Sequence, residues 1–176
     1  MDCLVCDRPA CDTVTLVERL GVCASQEIGA REQLVTLVLD IVGHVADLGE
    51  NPVQVRGWLA DAAQWRAHPE WALAASEEAL AARNAAMEYS ERPKCVLQAA
   101  TWATWAAKKA MEGRHQSGWI VSATVNALAA AVTAAADPKR EASWQTERIR
   151  ASICTCPDVP DAIPLSERSR NSLLAH

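Results

Sequence analysis

The sequence predicts an all-α fold, an antiparallel helical bundle of about six or seven helices with short irregular ends. Three observations carry that expectation. Alanine, the strongest helix former, is abundant in a composition that is 50% hydrophobic yet has no Phe, one Tyr and seven Trp. Only 8 Pro and 7 Gly interrupt 176 residues, too few for a sandwich built from many turns. The dipeptides Asn51-Pro52, His68-Pro69 and Asp137-Pro138 each place a proline where the first helical residue has no use for its N–H.

Taken in order, residues 1–11 form a Cys-bearing segment with little helical periodicity. A single helical domain then spans 12–153. Asp12 can cap a short helix from Thr13 to Leu20, closed by Gly21. Ser25 can cap a longer one from Gln26 to about Leu48, with Ile28, Leu34, Val35, Leu37, Val38, Ile41, Val42 and Val45 on a wide apolar face. Gly49 stops it. Asn51 and Pro52 start the next helix, with Gln54 at the capping-box position, and the pattern runs to about Arg66. Pro69 opens a helix to about Tyr89. Ser90 to Pro93 marks a break, and a further helix runs from Pro93 or Lys94 to Met111, ended by Gly113. An Ala-rich helix follows from about Gln116 to Ala136, and Asp137-Pro138 starts a last one to about Ile153. Residues 154–176 form a Pro-containing tail.

Charge and composition narrow the function. A net charge of −5 without a cluster of Lys and Arg speaks against nucleic acid, whose phosphates need such clusters. The start, MDCLVCDRPACD, lacks the apolar run of a secretory signal. Gly118 to Ala136 is long enough to span a membrane. Its content is largely Ala, with Ser122, Thr124, Asn126 and Thr133, and this fits a buried helix better. These features together predict a cytoplasmic protein that meets no membrane. They leave self-association open.

Cysteines are the first candidates for chemistry. Cys3, Cys6 and Cys11 form C-x2-C-x4-C, and Cys154 and Cys156 form C-x-C. Closely spaced thiolates can grip one tetrahedral zinc ion, and a fourth ligand must come from elsewhere. Cys23 is a poor candidate, about 18 Å from Cys11 if the residues between are helical, and Cys154 or Cys156 could supply it if the two ends meet. Thiol-disulfide exchange and inert thiols are the competing readings, and the odd total of seven weakens a disulfide framework. Asp40 and His44 share a helix face, the spacing of a base and its orienting carboxylate or of an ordinary local hydrogen bond. No P-loop, dinucleotide fingerprint or nucleophile elbow is present, so nothing in the motifs points to an enzyme or a cofactor.

The tryptophans read mainly as core, because no Phe is available to fill large gaps. Trp102 and Trp105 share one face, as do Trp58 and Trp65. Gln64 and Arg66 flank Trp65, which makes it the tryptophan expected nearest a surface. Arg56, Trp65, Arg66 and His68 are accordingly the candidate partner-binding residues.

Three stretches carry a family resemblance. They are residues 55–86 with Arg56-x-Trp58-Leu59, the Ala-rich residues 95–110, and residues 142–153 with Trp144-Gln145. They resemble a helical family of immunity proteins from bacterial toxin systems. The resemblance covers about half of the chain and implies an all-helical cytoplasmic protein that neutralises a toxin by stoichiometric binding, without catalytic residues. The acidic balance suits a basic partner. The alternative expectation is a metal-binding or thiol-redox regulator using the terminal cysteines.

Overall fold

A computed structural model describes Val17, residues 28–86 and residues 89–153. These contain six α-helices, two 3₁₀ turns and no strand: α1 Ile28–Val45, α2 Pro52–Ala63, α3 Pro69–Ala85, α4 Glu91–Met111, α5 Ser117–Ala134 and α6 Pro138–Ile153. The fold is the all-helical bundle that periodicity and caps predict. Of the expected helix from Thr13 to Leu20, only Val17 is described, and it is helical and fully buried.

α1 buries the face expected of it. Leu34, Val35, Leu37, Val38, Ile41, Val42 and Val45 are all in the core, joined by Leu39. It ends at Val45 and tightens into a 3₁₀ turn, Ala46–Leu48, where the Gly49 N–H donates to Ala46 O at 3.1 Å. Glycine is needed at 49 for space: a Cβ there would meet Val96 Cγ1 at 3.1 Å and Ala46 O at 3.3 Å.

The cap of α2 forms as a variation on the expected box. The Gln54 N–H donates to Asn51 Oδ1 at 3.2 Å, and Asn51 Nδ2 returns a bond to Gln54 Oε1 at 3.1 Å. Val55, Trp58, Leu59 and Ala62 make its buried stripe at helical spacing. The helix stops at Ala63, short of Arg66, because the Gln64 and Trp65 N–H groups fold back to carbonyls three residues earlier. α3 buries only Ala72, Ala75, Ser76 and Ala79. Such small side chains let it lie close to its neighbours.

α4 is the centre of the bundle and touches α1, α2, α3 and α5. It starts at Glu91, two residues before the expected Pro93. Proline is compatible with that placement, since the first turn of a helix has no internal use for its N–H groups. Its inward face is alanine at 99, 100, 103, 106, 107 and 110, with Val96, Thr101 and Thr104. The Thr101 hydroxyl donates to Leu97 O at 2.8 Å and lies 3.1 Å from Ala79 O, tying α4 to α3. Gly113 ends this region with φ +113°, a conformation that side chains other than glycine rarely adopt. The buried Arg31 of α1 sets its Nη1 3.5 Å from Ala110 O, at the electronegative end of α4.

α5 packs on α4, α1 and α6. By length and composition it could cross a membrane. In the bundle its inward positions, from Ile120 through Ala123, Ala127 and Ala131 to Ala134, are fully buried. α6 is capped by Asp137, whose Oδ1 accepts from the Arg140 N–H at 3.1 Å. Its buried stripe is Glu141, Gln145 and Ile149, two polar residues and one apolar.

Candidate partner-binding surface

The four residues expected to form one binding patch do not. Trp65 is buried at 7% exposure and belongs to the core, a correction to its expected surface place. Its sequence neighbours point outward from the tight turn while its ring points in, so their polarity says nothing about its own direction. Arg56 pairs with Asp47 at 2.7 Å, and Arg66 pairs with Glu32 at 2.7 Å. Glu32 and Asp47 are about 22 Å apart along α1 and its 3₁₀ extension. The two arginines therefore sit at opposite ends of an antiparallel α1–α2 pair. His68 stacks on Trp71, ring centroids 4.0 Å apart, and its Nδ1 lies 3.4 Å from Glu70 Oε1.

Asp40 and His44 do not pair with each other either. Each finds its partner on α6. Arg148 Nε donates to Asp40 Oδ2 at 2.7 Å, and His44 Nδ1 donates to Glu141 Oε2 at 3.0 Å. Glu141 is buried, and its other oxygen accepts from Gln145 Nε2 at 3.1 Å. Trp144 stacks on the His44 ring at 4.0 Å. The imidazole is thus fixed by a carboxylate and an aromatic face, an arrangement that docks α6 onto α1.

The surface that sequence reasoning missed lies along the outer seam of α4 and α5. Trp102 and Trp105 meet edge to face at 5.7 Å, and Trp105 meets Trp119 in the same manner at 5.8 Å. Lys109 Nζ sits 5.1 Å from the centre of the Trp105 ring and donates to Glu112 Oε2 at 2.7 Å. Trp102 and Trp105 are partly buried against the core, whereas Trp119 is 57% exposed. Among the described residues, none offers an acceptor to the buried Trp102 Nε1. A shared face for Trp102 and Trp105 was legible from their spacing. Trp119 could join them only once α5 folded back along α4.

The remaining large apolar side chains at the surface are scattered. Val53, Trp71, Leu73, Leu80 and Tyr89 are exposed on α2, on α3 and before α4. Within residues 28–153 acids and bases are nearly equal in number, so most of the −5 charge belongs to the two ends of the chain. Cys3, Cys6, Cys11, Cys154 and Cys156 lie outside the described residues, and so does Cys23. Cys95, on α4, is a free thiol, and burial, helped by the negative Glu91, pushes its pKa up. Among the described residues no group of His, Cys, Asp and Glu is arranged to hold a metal ion. No family model, curated protein or solved structure matches this chain.

Proposed function

We propose that this chain is a non-catalytic binding protein that grips a protein partner at the Trp105–Trp119 seam, and that the partner is a bacterial toxin which it neutralises in the cytoplasm. The observation that carries the reading is Trp119, more than half exposed and set edge-on against Trp105. Exposed tryptophan is the residue type most enriched at binding hot spots. Its ring is already held by a neighbour, so little side-chain freedom remains to be lost on binding. The lysine beside it gives the seam a polar rim, and that rim is paired to Glu112 in the free protein. The toxin assignment rests on the resemblance over residues 55–153, carried by Arg56-x-Trp58-Leu59 and Trp144-Gln145.

The test uses the product of the gene beside this one. Purified together, the two proteins should elute as one stoichiometric complex, and co-expression should protect cells from the neighbour's toxicity. Trp119→Ala should weaken the complex by about 30-fold or more, the loss of a hot-spot side chain, while leaving helix content unchanged. Absence of a complex sinks the toxin reading. A Trp119→Ala protein that binds as tightly as the parent removes the seam from the interface.

A further inference from the structure

Among the described residues, α5 is the one helix that contains no Asp, Glu, Lys, Arg or His. The other five described helices each set charged residues toward solvent, as surface helices do. α5 is not enclosed either, since 44% of it is buried. Trp119, Asn126 and Ala129 are exposed on its outer side, and Ser122 is half-buried between them. Steps of three, four and three residues place all four along one face of the helix. That face is symmetric about its middle: Ser122 and Asn126 lie at equal distances from it, and so do Trp119 and Ala129. A two-fold axis through the middle lays a second α5 antiparallel on the first, so that the same face serves both copies. Each large indole then meets a small side chain, and each hydroxyl meets an amide. Asn126 Nδ2 already donates to Ser122 O at 3.0 Å within the helix, which leaves Oδ1 to accept from Ser122 Oγ of the second copy.

We infer that this face binds a second copy of the chain, forming an antiparallel two-fold dimer through Trp119, Ser122, Asn126 and Ala129. Charge selects the occupant. A charged surface laid on α5 would lose its hydration and find no group to pair with, whereas a second α5 brings no charge. Size sets the strength. One helix about 27 Å long is small beside the roughly 800 Å² per partner of a stable interface, so the dimer dissociates at about 10–100 μM. Trp119 belongs both to this face and to the seam with Trp105. Self-association therefore covers the seam in the free protein and opens when another partner takes it. The dimer itself is a property of the chain alone and does not depend on what that partner is.

Sedimentation of the full chain from about 5 to 500 μM should show monomer giving way to dimer. Ala129→Glu puts a charge opposite Trp119 at an exposed position and should raise the dissociation constant by about 10-fold or more, with helical circular dichroism unchanged. Leu80→Glu, on the exposed side of α3, should leave the constant as it is. Ser122→Lys and Asn126→Asp should each weaken the dimer, and the two together should restore it, because the lysine of one copy then meets the aspartate of the other. A double variant as weak as the single ones overturns the antiparallel pairing. A chain that stays monomeric up to about 500 μM overturns the dimer, and flotation of that monomer with phosphatidylcholine vesicles would assign the face to a lipid surface instead. The concentration series needs no substitution, so a variant that fails to fold leaves the question decidable. Loss of the dimer leaves the complex with the neighbouring gene product to be found or not on its own, so the two readings fail separately.

Discussion

α4 and α6 are held in the same bundle by different physics. α4 meets four other helices with a face made mostly of alanines, to which the Thr101 hydroxyl near Ala79 O adds a polar tie. Close approach and excluded volume keep it in place. Among the described residues α6 touches chiefly α5 and α1, and of the side chains it is seen to bury there, Glu141, Gln145 and Ile149, one is apolar. Named polar links keep it there: Glu141 to His44, Gln145 to Leu128 O at 3.4 Å, and Arg148 to Asp40. A packed face fails when it is overfilled. A linked face loosens when a buried link is removed, and it loosens locally.

Substitutions can separate the two modes. The largest effect is expected at the centre. Ala103→Leu puts three carbons into a fully buried site on α4 and should cost about 3 kcal/mol of global stability, read as a lower denaturant midpoint. Ile149→Ala should cost about 2 kcal/mol, and hydrogen exchange should show the loss concentrated in α6. Equal loosening of α4 in that variant would contradict the separation. Glu141→Ala leaves His44 and Gln145 without their shared acceptor and should cost about 1–2 kcal/mol, again localised to α6. Asp40→Asn breaks an exposed pair and should shift stability by less than about 0.5 kcal/mol.

The smallest effect concerns Cys95. Because burial raises its pKa, alkylation at that residue should be slower near pH 8 than for a model thiol, as followed by peptide mass spectrometry. Glu91→Gln removes the lesser, coulombic cause and should speed the reaction modestly. The sign for stability follows. The folded state prefers the protonated thiol, so this contribution is full below the unfolded pKa and is lost as pH rises through the folded value.

Local signals in the sequence located most helix starts. Asn51-Pro52 and Asp137-Pro138 work because a side-chain acceptor and a residue without an N–H solve the same problem of unpaired donors. Gly113 was a readable stop because its conformation excludes other residues. Where no such signal stands an end is harder to place: α2 closes at Ala63, three residues before the expected Arg66, where tightened turns decide. The candidate surface was half legible. Spacing alone paired Trp102 with Trp105, yet Trp119 depends on the antiparallel return of α5. His44 chose Glu141, 97 residues away, over Asp40 one turn away. Pairings of that kind are set by which helices meet, and periodicity is silent on them.

The seam is the part of this account on which function rests, and calorimetry tests it most directly. The chain and the purified product of the neighbouring gene should titrate to a one-to-one endpoint, and Trp119→Ala should lower the affinity by about 30-fold with its fold intact. Heat and stoichiometry that are the same for Trp119→Ala as for the parent chain would contradict it.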